Sequence, residues 1–324
     1  MIERFLGAPR VWSPATYRSY SSPARFFVRD PLGEARLGRL TPARVDAAIA
    51  RWVRAGAGPA VVLGRYRLLH SAITWGLHEQ YLRSDPLAGH RAPKAPLPRK
   101  HLPPALGRRL LEVADALAEK ACAALEERPD SRRSLLAAFR ADQTALLVRL
   151  AADTGARLGE LTALQIADLD GGRLTIERAA KGHGVIGPTK SHGRRTITLG
   201  SVVAQRWERH VATWKPDAVA RRAGWLFTST PESAEALGLT GTTLRFRRAR
   251  AAADVPEATL HRFRHTVGTH LVRNGDLLGA KARLGHDNLS TTLRNYVDND
   301  RGTAMSLDEL YNNDVASRAE DQER

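Results

Sequence analysis

The chain has 324 residues, 43% of them hydrophobic, and a formal net charge of +16 from 50 Lys+Arg against 34 Asp+Glu. That length suits about two domains of ~100–200 residues each, and the apolar content excludes global disorder. A single cysteine, Cys122, excludes an intramolecular disulfide and an all-cysteine zinc cage, which fits a reducing cytoplasm. The charge points to a polyanionic partner, nucleic acid before membrane. The opening MIERFLGAPRVW lacks the apolar core of a secretory signal, and no apolar run approaches the ~18 residues of a membrane span. Only seven of the basic residues are lysine, so an arginine-rich composition bias accounts for part of the charge.

Residues 1–90 read as a small helical domain. Thr41 is a natural N-cap for TPARVDAAIARWVRAG, with Pro42 at the first helical position. A second helix runs through RYRLLHSAITWGLHEQYL and stops before Ser84-Asp85-Pro86. The proline-rich, acid-free stretch 91–104 reads as an extended basic linker. From 105 onward the chain is mainly helical with one β island. Helical spacing covers 105–126 and 140–153, with a stop at Gly155 and a new helix near Arg157. Alternation marks strands at 173–179 and 194–199, joined by the long connection KGHGVIGPTKSHG, and a further strand candidate at 224–229. Helices follow at 241–253, 259–274, 277–284 and 290–298. The expected fold is therefore α+β, mainly α with a small antiparallel sheet in the second domain. Its boundaries are 105–302, with a tail at 303–324.

The chemistry-bearing residues are sparse. Arg157 follows a Thr-Gly turn at the start of a helix, where free N–H groups favour an anion, and Glu160 stands one turn on to orient it. His261 and Arg264 share a helix face. An arginine fork matches two phosphate oxygens, and a histidine beside it can donate a hydrogen bond or move a proton near neutral pH. His286 sits in the turn LGHDN, and Tyr296 flanks the apolar stripe Leu289, Leu293, Val297. Taken singly, these also read as a surface ion pair, an exposed basic helix and a packed tyrosine. Together they read as a phosphate clamp beside a phenol nucleophile, with no carboxylate-rich metal site alongside. A phenol has a pKa near ~10, so clustered positive charge would be needed to stabilise both the phenolate and the pentacoordinate phosphorane.

The strings TGARLGEL, LHRFRHTVGTH, LGHDNLSTT and LRNYVD, in that order, resemble the motif series of the tyrosine recombinase, or phage integrase, family. The resemblance implies a helical core-DNA-binding domain followed by a catalytic domain, in the simple two-domain type. It also implies site-specific DNA recombination through a 3′-phosphotyrosyl intermediate and a Holliday junction, without metal, cofactor or ATP. Tyr296 would be the nucleophile, Arg157 and Arg264 would hold the non-bridging oxygens, and His261 and His286 would assist. The family uses a hairpin lysine as general acid. Lys190, in GPTKSHGRRTITL, resembles it best, with Lys181 as the alternative. The implied partners are double-stranded DNA carrying recombination sites, a homo-tetramer on that DNA and an accessory DNA-bending protein, with no membrane. The segment RNGDLLGAKARLGH carries alanine and glycine where larger apolar residues are usual, implying looser packing ahead of His286. Apolar positions in TAMSLDELYNN suggest that the tail docks on a neighbouring protomer. A type IB topoisomerase-like DNA relaxase and a non-catalytic DNA-binding regulator are the alternatives.

Overall fold

The computed structural model describes residues 1–9, 12, 14–94, 101–189, 193–217 and 223–285. The chain divides into two compact units, Met1–Pro98 and Arg99–Arg324. Helices dominate the described residues, with small antiparallel sheets confined to the second unit.

The first unit is built from α1 (Ile2–Gly7), α2 (Pro14–Phe27), α3 (Pro42–Arg54) and α4 (Pro59–His78). Thr41 caps α3 as its sequence predicts, its hydroxyl oxygen accepting the Arg44 N–H, and Pro42 occupies the first turn. Helix α4 begins earlier than the periodicity suggests, at Pro59, and stops at His78, where Gln80 turns the chain with φ 59°. Helices α1 and α2 carry no clear sequence signal, because α2 contains Pro23 and long polar runs that blur its spacing. Phe5, Phe27, Trp52, Tyr66, Ile73 and Trp75 form the core. Asp30 is buried there, accepting from Arg51 Nη2, Trp52 Nε1 and the Leu32 N–H, each at 2.9 Å. A buried carboxylate is tolerated only when satisfied in this way.

The second unit is organised around α6 (Arg132–Thr154), which packs on α5 (Pro104–Glu126). Ala114, Ala118, Ala145 and Ala151 keep this interface thin, while Leu110, Leu146, Leu147 and Leu150 fill it. Helix α6 starts at the Ser131 cap, eight residues before its visible apolar periodicity, because Arg132 to Ala137 form its more exposed end. Helix α8 (Ser201–Trp214) lies where the sequence reading assigns no element, although Val203, Trp207 and Val211 carry an i, i+4, i+8 stripe. Buried ion pairs join these helices. Asp142 accepts from Arg206 Nη2 at 2.9 Å, His210 Nδ1 at 2.6 Å and Trp214 Nε1 at 3.0 Å, and Arg206 Nη1 also reaches Asp115 at 2.8 Å.

Strands β1 (Leu169–Asp170), β2 (Arg173–Ile176) and β5 (Arg195–Thr198) form an antiparallel sheet in the order β1-β2-β5. The strand predicted over 173–179 is broken after Ile176, and its end belongs to a second hairpin, β3 (Arg178–Ala180), which pairs with β4 (Ile186–Pro188) in the expected connection. The Ile-Gly-Pro strand lacks apolar alternation, so period-2 reading misses it and runs β2 and the start of β3 together. The segment 224–229 is not a strand. Leu226 and Phe227 are both fully buried, and its β pairing is limited to isolated bridges at Trp225 and Thr228.

Helices α9 (Gly238–Ala252), α10 (Leu260–Arg273) and α11 (Leu277–Leu284) complete the described unit. Helix α11 is firmly seated, contrary to the looser packing its small residues imply. Ala280 and Leu284 are fully buried. Gly279 leaves room for the Asp276 cap, since a Cβ there would fall 1.8 Å from its Oδ2. The expected helix 290–298, the tail 303–324, and Lys190, His286 and Tyr296 lie outside the described residues.

Removing the Asp142 carboxylate leaves Arg206 and His210 short of a buried acceptor. Asp142→Ala is expected to lower the unfolding free energy of the second unit by about 3 kcal/mol. Urea denaturation followed by tryptophan fluorescence, compared with wild type, checks this.

Candidate active site

The site begins where α6 ends. Thr154 folds its hydroxyl back onto the Leu150 carbonyl and accepts the Ala156 N–H at 3.0 Å, and Gly155 takes the left-handed conformation, φ 62° and ψ 20°. A side chain would be strained at that φ, and its Cβ would lie 2.8 Å from Leu284 Cδ2. The turn therefore lets α6 pass close to α10 and α11 and then delivers Arg157.

Arg157 is the N-cap of α7 (Leu158–Thr162). This helix has only five residues, too short for the end-on dipole that its sequence position suggests, and Glu160 takes the leading N–H. Glu160 Oε2 accepts the Arg157 backbone N–H at 2.9 Å, and Oε1 accepts Arg157 Nη1 at 2.8 Å. The ion pair expected from the spacing is present, with Glu160 buried (1% exposed) and Arg157 open to solvent at 33%. Helix α7 rests directly on β3, because a Cβ on Gly159 would fall 2.5 Å from the Ala180 carbonyl oxygen.

Arg264, on α10, is 3% exposed. Its Nη1 donates to the Gly155 carbonyl at 3.0 Å and its Nη2 to the Leu284 carbonyl at 2.6 Å. Two fixed bonds set the plane of the guanidinium, and both tie it to the segments that carry Arg157 and lead to His286. His261 lies one turn before Arg264 and remains exposed. Its Nε2 stands 3.0 Å from His265 Nε2, with the rings nearly perpendicular. One nitrogen must donate and the other accept, so the two rings cannot both carry a proton there. Desolvation of its inner edge, followed by the charges of Arg264 and Arg157, pushes the His261 pKa down. Both effects favour the neutral ring.

The structure thus brings Arg157, His261 and Arg264 together. Lys181, the alternative hairpin lysine, is exposed where β3 turns toward β4, its Nζ lying along Gly187. Thr189 is buried and donates to the Gly193 carbonyl at 3.0 Å, which anchors the chain immediately before Lys190. Sequence reasoning passed over Arg195, which donates from Nη2 to Glu160 Oε2 at 2.6 Å. Nothing in the sequence separates it from the many other arginines. Among the described residues, no group of three or more His, Cys, Asp or Glu is placed to hold a metal, and no helix is long and apolar enough to cross a membrane.

A helical bundle with a small sheet, two arginines and a histidine around one turn defines the class, and comparison with known proteins gives the family. The profile of the phage integrase family matches residues 118–302. Tyrosine recombinase XerC of Mycobacterium sp. (strain JLS) is 27% identical over 303 residues, 90% of each chain. XerC of Mycobacterium tuberculosis (strain CDC 1551 / Oshkosh) is 30% identical over 265 residues, 79% of this chain and 78% of its own. The fold is also that of the Tn1549 transposon integrase in complex with transposon right end DNA. The TM-score is 0.67 and the identity 19%, covering 99% of this chain and 97% of that one. A lambda integrase tetramer bound to a Holliday junction aligns with TM-score 0.60 and 18% identity, over 94% of this chain and 77% of that one. The chain belongs to the phage integrase family, and so to the tyrosine recombinases, enzymes of site-specific DNA strand exchange.

Two expectations follow from the site's ionisation. Burial by itself raises the Glu160 pKa, but hydrogen bonds and charge from Arg195 and Arg157 outweigh it and hold the carboxyl below its ordinary range. A carboxyl held low in the folded state contributes stability above its unfolded pKa of about 4.3, and that contribution is lost as pH falls through the folded value. Glu160→Gln is therefore expected to cost about 3 kcal/mol at pH 7 and to give a shallower fall in stability toward acid. Urea unfolding across that pH range reads both effects. Arg157→Gln removes one of the two charges acting on His261 and should raise the midpoint of its ring titration by NMR. An unchanged midpoint would show that Arg157 does not act on this ring.

Proposed function

We propose that this protein binds double-stranded DNA at specific recombination sites and that Tyr296 attacks the scissile phosphate there. The Tyr296 oxygen bonds to phosphorus and the bond to the 5′ oxygen breaks, leaving a 3′-phosphotyrosyl link and a free 5′-hydroxyl. Arg157 and Arg264 hold the two non-bridging oxygens. Neutral His261 is fit to accept the phenol's proton, His286 adds a further hydrogen bond, and Lys190 protonates the leaving oxygen. Attack of the freed hydroxyl on the partner's phosphotyrosine regenerates a phosphodiester and gives a Holliday junction. Each step exchanges one phosphate ester for another, so no ATP is needed.

The observation that carries this reading is the meeting of Arg157, His261 and Arg264 around the Gly155 turn, from motifs far apart in the chain. The pentacoordinate phosphorane carries more negative charge than the diester, so paired guanidiniums bind it more tightly than the ground state. The second part of the reading is assembly. The lambda integrase tetramer on a Holliday junction supports a homo-tetramer on paired DNA sites for this chain as well, and the lone Cys122 suits a reducing cytoplasm.

The test starts from a binding site selected out of a random duplex library. A duplex nicked beside the scissile phosphate loses a short fragment on cleavage and traps the covalent intermediate. Wild type should give an SDS-resistant protein–DNA adduct and Tyr296→Phe none, while Arg157→Ala or Arg264→Ala should slow adduct formation by roughly 10²–10³-fold. An adduct that persists in Tyr296→Phe refutes the nucleophile. Relaxation of plasmids that lack the site would favour a topoisomerase instead.

A further inference from the structure

Arg195 lies in the string GPTKSHGRRTITL without a role of its own there, yet it bonds Glu160, the partner of Arg157, and the helix end that Arg264 also holds. It sits on β5 with its side chain 8% exposed. Its Nη2 donates to Glu160 Oε2 at 2.6 Å, and its Nε donates to the Arg283 carbonyl at 2.9 Å, in the last turn of α11. Its Nη1 is buried without a hydrogen-bond partner among the described residues, and Gly285 leaves the space for it, since a Cβ there would fall 3.1 Å away. Arg264 takes the next carbonyl of the same helix end, that of Leu284. Two guanidiniums thus hold consecutive carbonyls at the C-terminus of α11, where the helix dipole favours positive charge.

The larger consequence concerns charge. Arg157, Glu160 and Arg195 form a cluster of two cations and one anion, with a net charge of +1. Glu160 is buried and must stay ionised to bind both arginines. With Arg195 in place, Glu160 is already balanced from its inner side, and Arg157, the exposed member, can offer its charge outward. Without Arg195 the Arg157–Glu160 pair sums to zero, and the carboxylate draws on Arg157 alone.

We infer that Arg195 is a positioning residue for strand cleavage. It neutralises Glu160 so that Arg157 keeps a full positive charge for the scissile phosphate, and it holds the end of α11 in register with Arg264. The inference rests on the phosphate-clamp reading above and assigns Arg195 no contact with DNA.

The test uses the full-length protein and the same nicked duplex, made with either an ordinary scissile phosphodiester or an uncharged methylphosphonate at that position. The rate of adduct formation is measured at saturating DNA. Arg195→Gln is expected to slow phosphodiester cleavage by roughly tenfold to a hundredfold while leaving the DNA concentration for half-saturation within about threefold. On the methylphosphonate the deficit should shrink to under about threefold, because less charge then needs neutralising. Adding Glu160→Gln to Arg195→Gln returns the cluster to +1 and should recover part of the lost rate. If Arg195→Gln does not fold, Arg195→Lys, which keeps the charge and loses the second contact, should cleave the phosphodiester within about threefold of wild type, and a deficit of roughly tenfold or more in it overturns the charge argument. Wild-type rates in Arg195→Gln, or equal deficits in it on charged and uncharged phosphates, overturn the inference. Failure of the wild type itself to form an adduct overturns the clamp reading instead.

Discussion

The second unit depends on one constraint, the satisfaction of Arg264 inside the protein. A guanidinium cannot lose its proton and is costly to bury, so its donors must find acceptors. Two of them find the carbonyls of Gly155 and Leu284. Those carbonyls are available because each lies at a helix end, where no intrahelical donor claims it. The left-handed turns at Gly155 and Gly285, both with φ 62°, leave the helix ends close to Arg264. One buried side chain thereby joins the ends of α6 and α11 to the middle of α10, and the candidate site is the surface of that junction.

Around it the charges are layered. Arg264 is buried and fixed, Glu160 is buried and shared, and Arg157 faces outward. His261 sits beside them, its pKa held down by desolvation and then by the charges of Arg264 and Arg157. This arrangement suits a reaction in which negative charge grows on a phosphate, since the positive groups are held in place before any substrate arrives and need little reorganisation. The buried pairs of Asp142, Arg206, His210 and Asp115 perform a different task on the far side of α6. They fasten α8 to α5 and α6, and their removal is expected to cost stability rather than chemistry.

Thr41, Pro42 and the Gly155 stop were legible because capping and turn chemistry are local. The Arg157–Glu160 pair was legible because three residues on a turn are neighbours by covalent geometry. Helix α8 was overlooked, although its apolar stripe was there to be counted. The break between β2 and β3 and the strand β4 were not legible, because Ile-Gly-Pro carries no alternation and β3 continues the predicted strand without a turn signal. The apolar run at 224–229 misled, because burial on both sides of a loop mimics a strand.

The sequence by itself determined the class of protein. Four short motifs in a set order, a mainly helical pattern and a strong positive charge are one-dimensional properties, and they led to the phage integrase family. Only the tertiary structure decided how those motifs cooperate. That Arg264 closes on Gly155 and Leu284, and that α11 is tightly seated despite its small residues, follow from packing between distant segments. The place of Arg195 beneath Glu160 is of the same kind. An arginine's partners are set by which carboxylate or carbonyl the fold brings within hydrogen-bond reach, and no spacing along the chain records that distance.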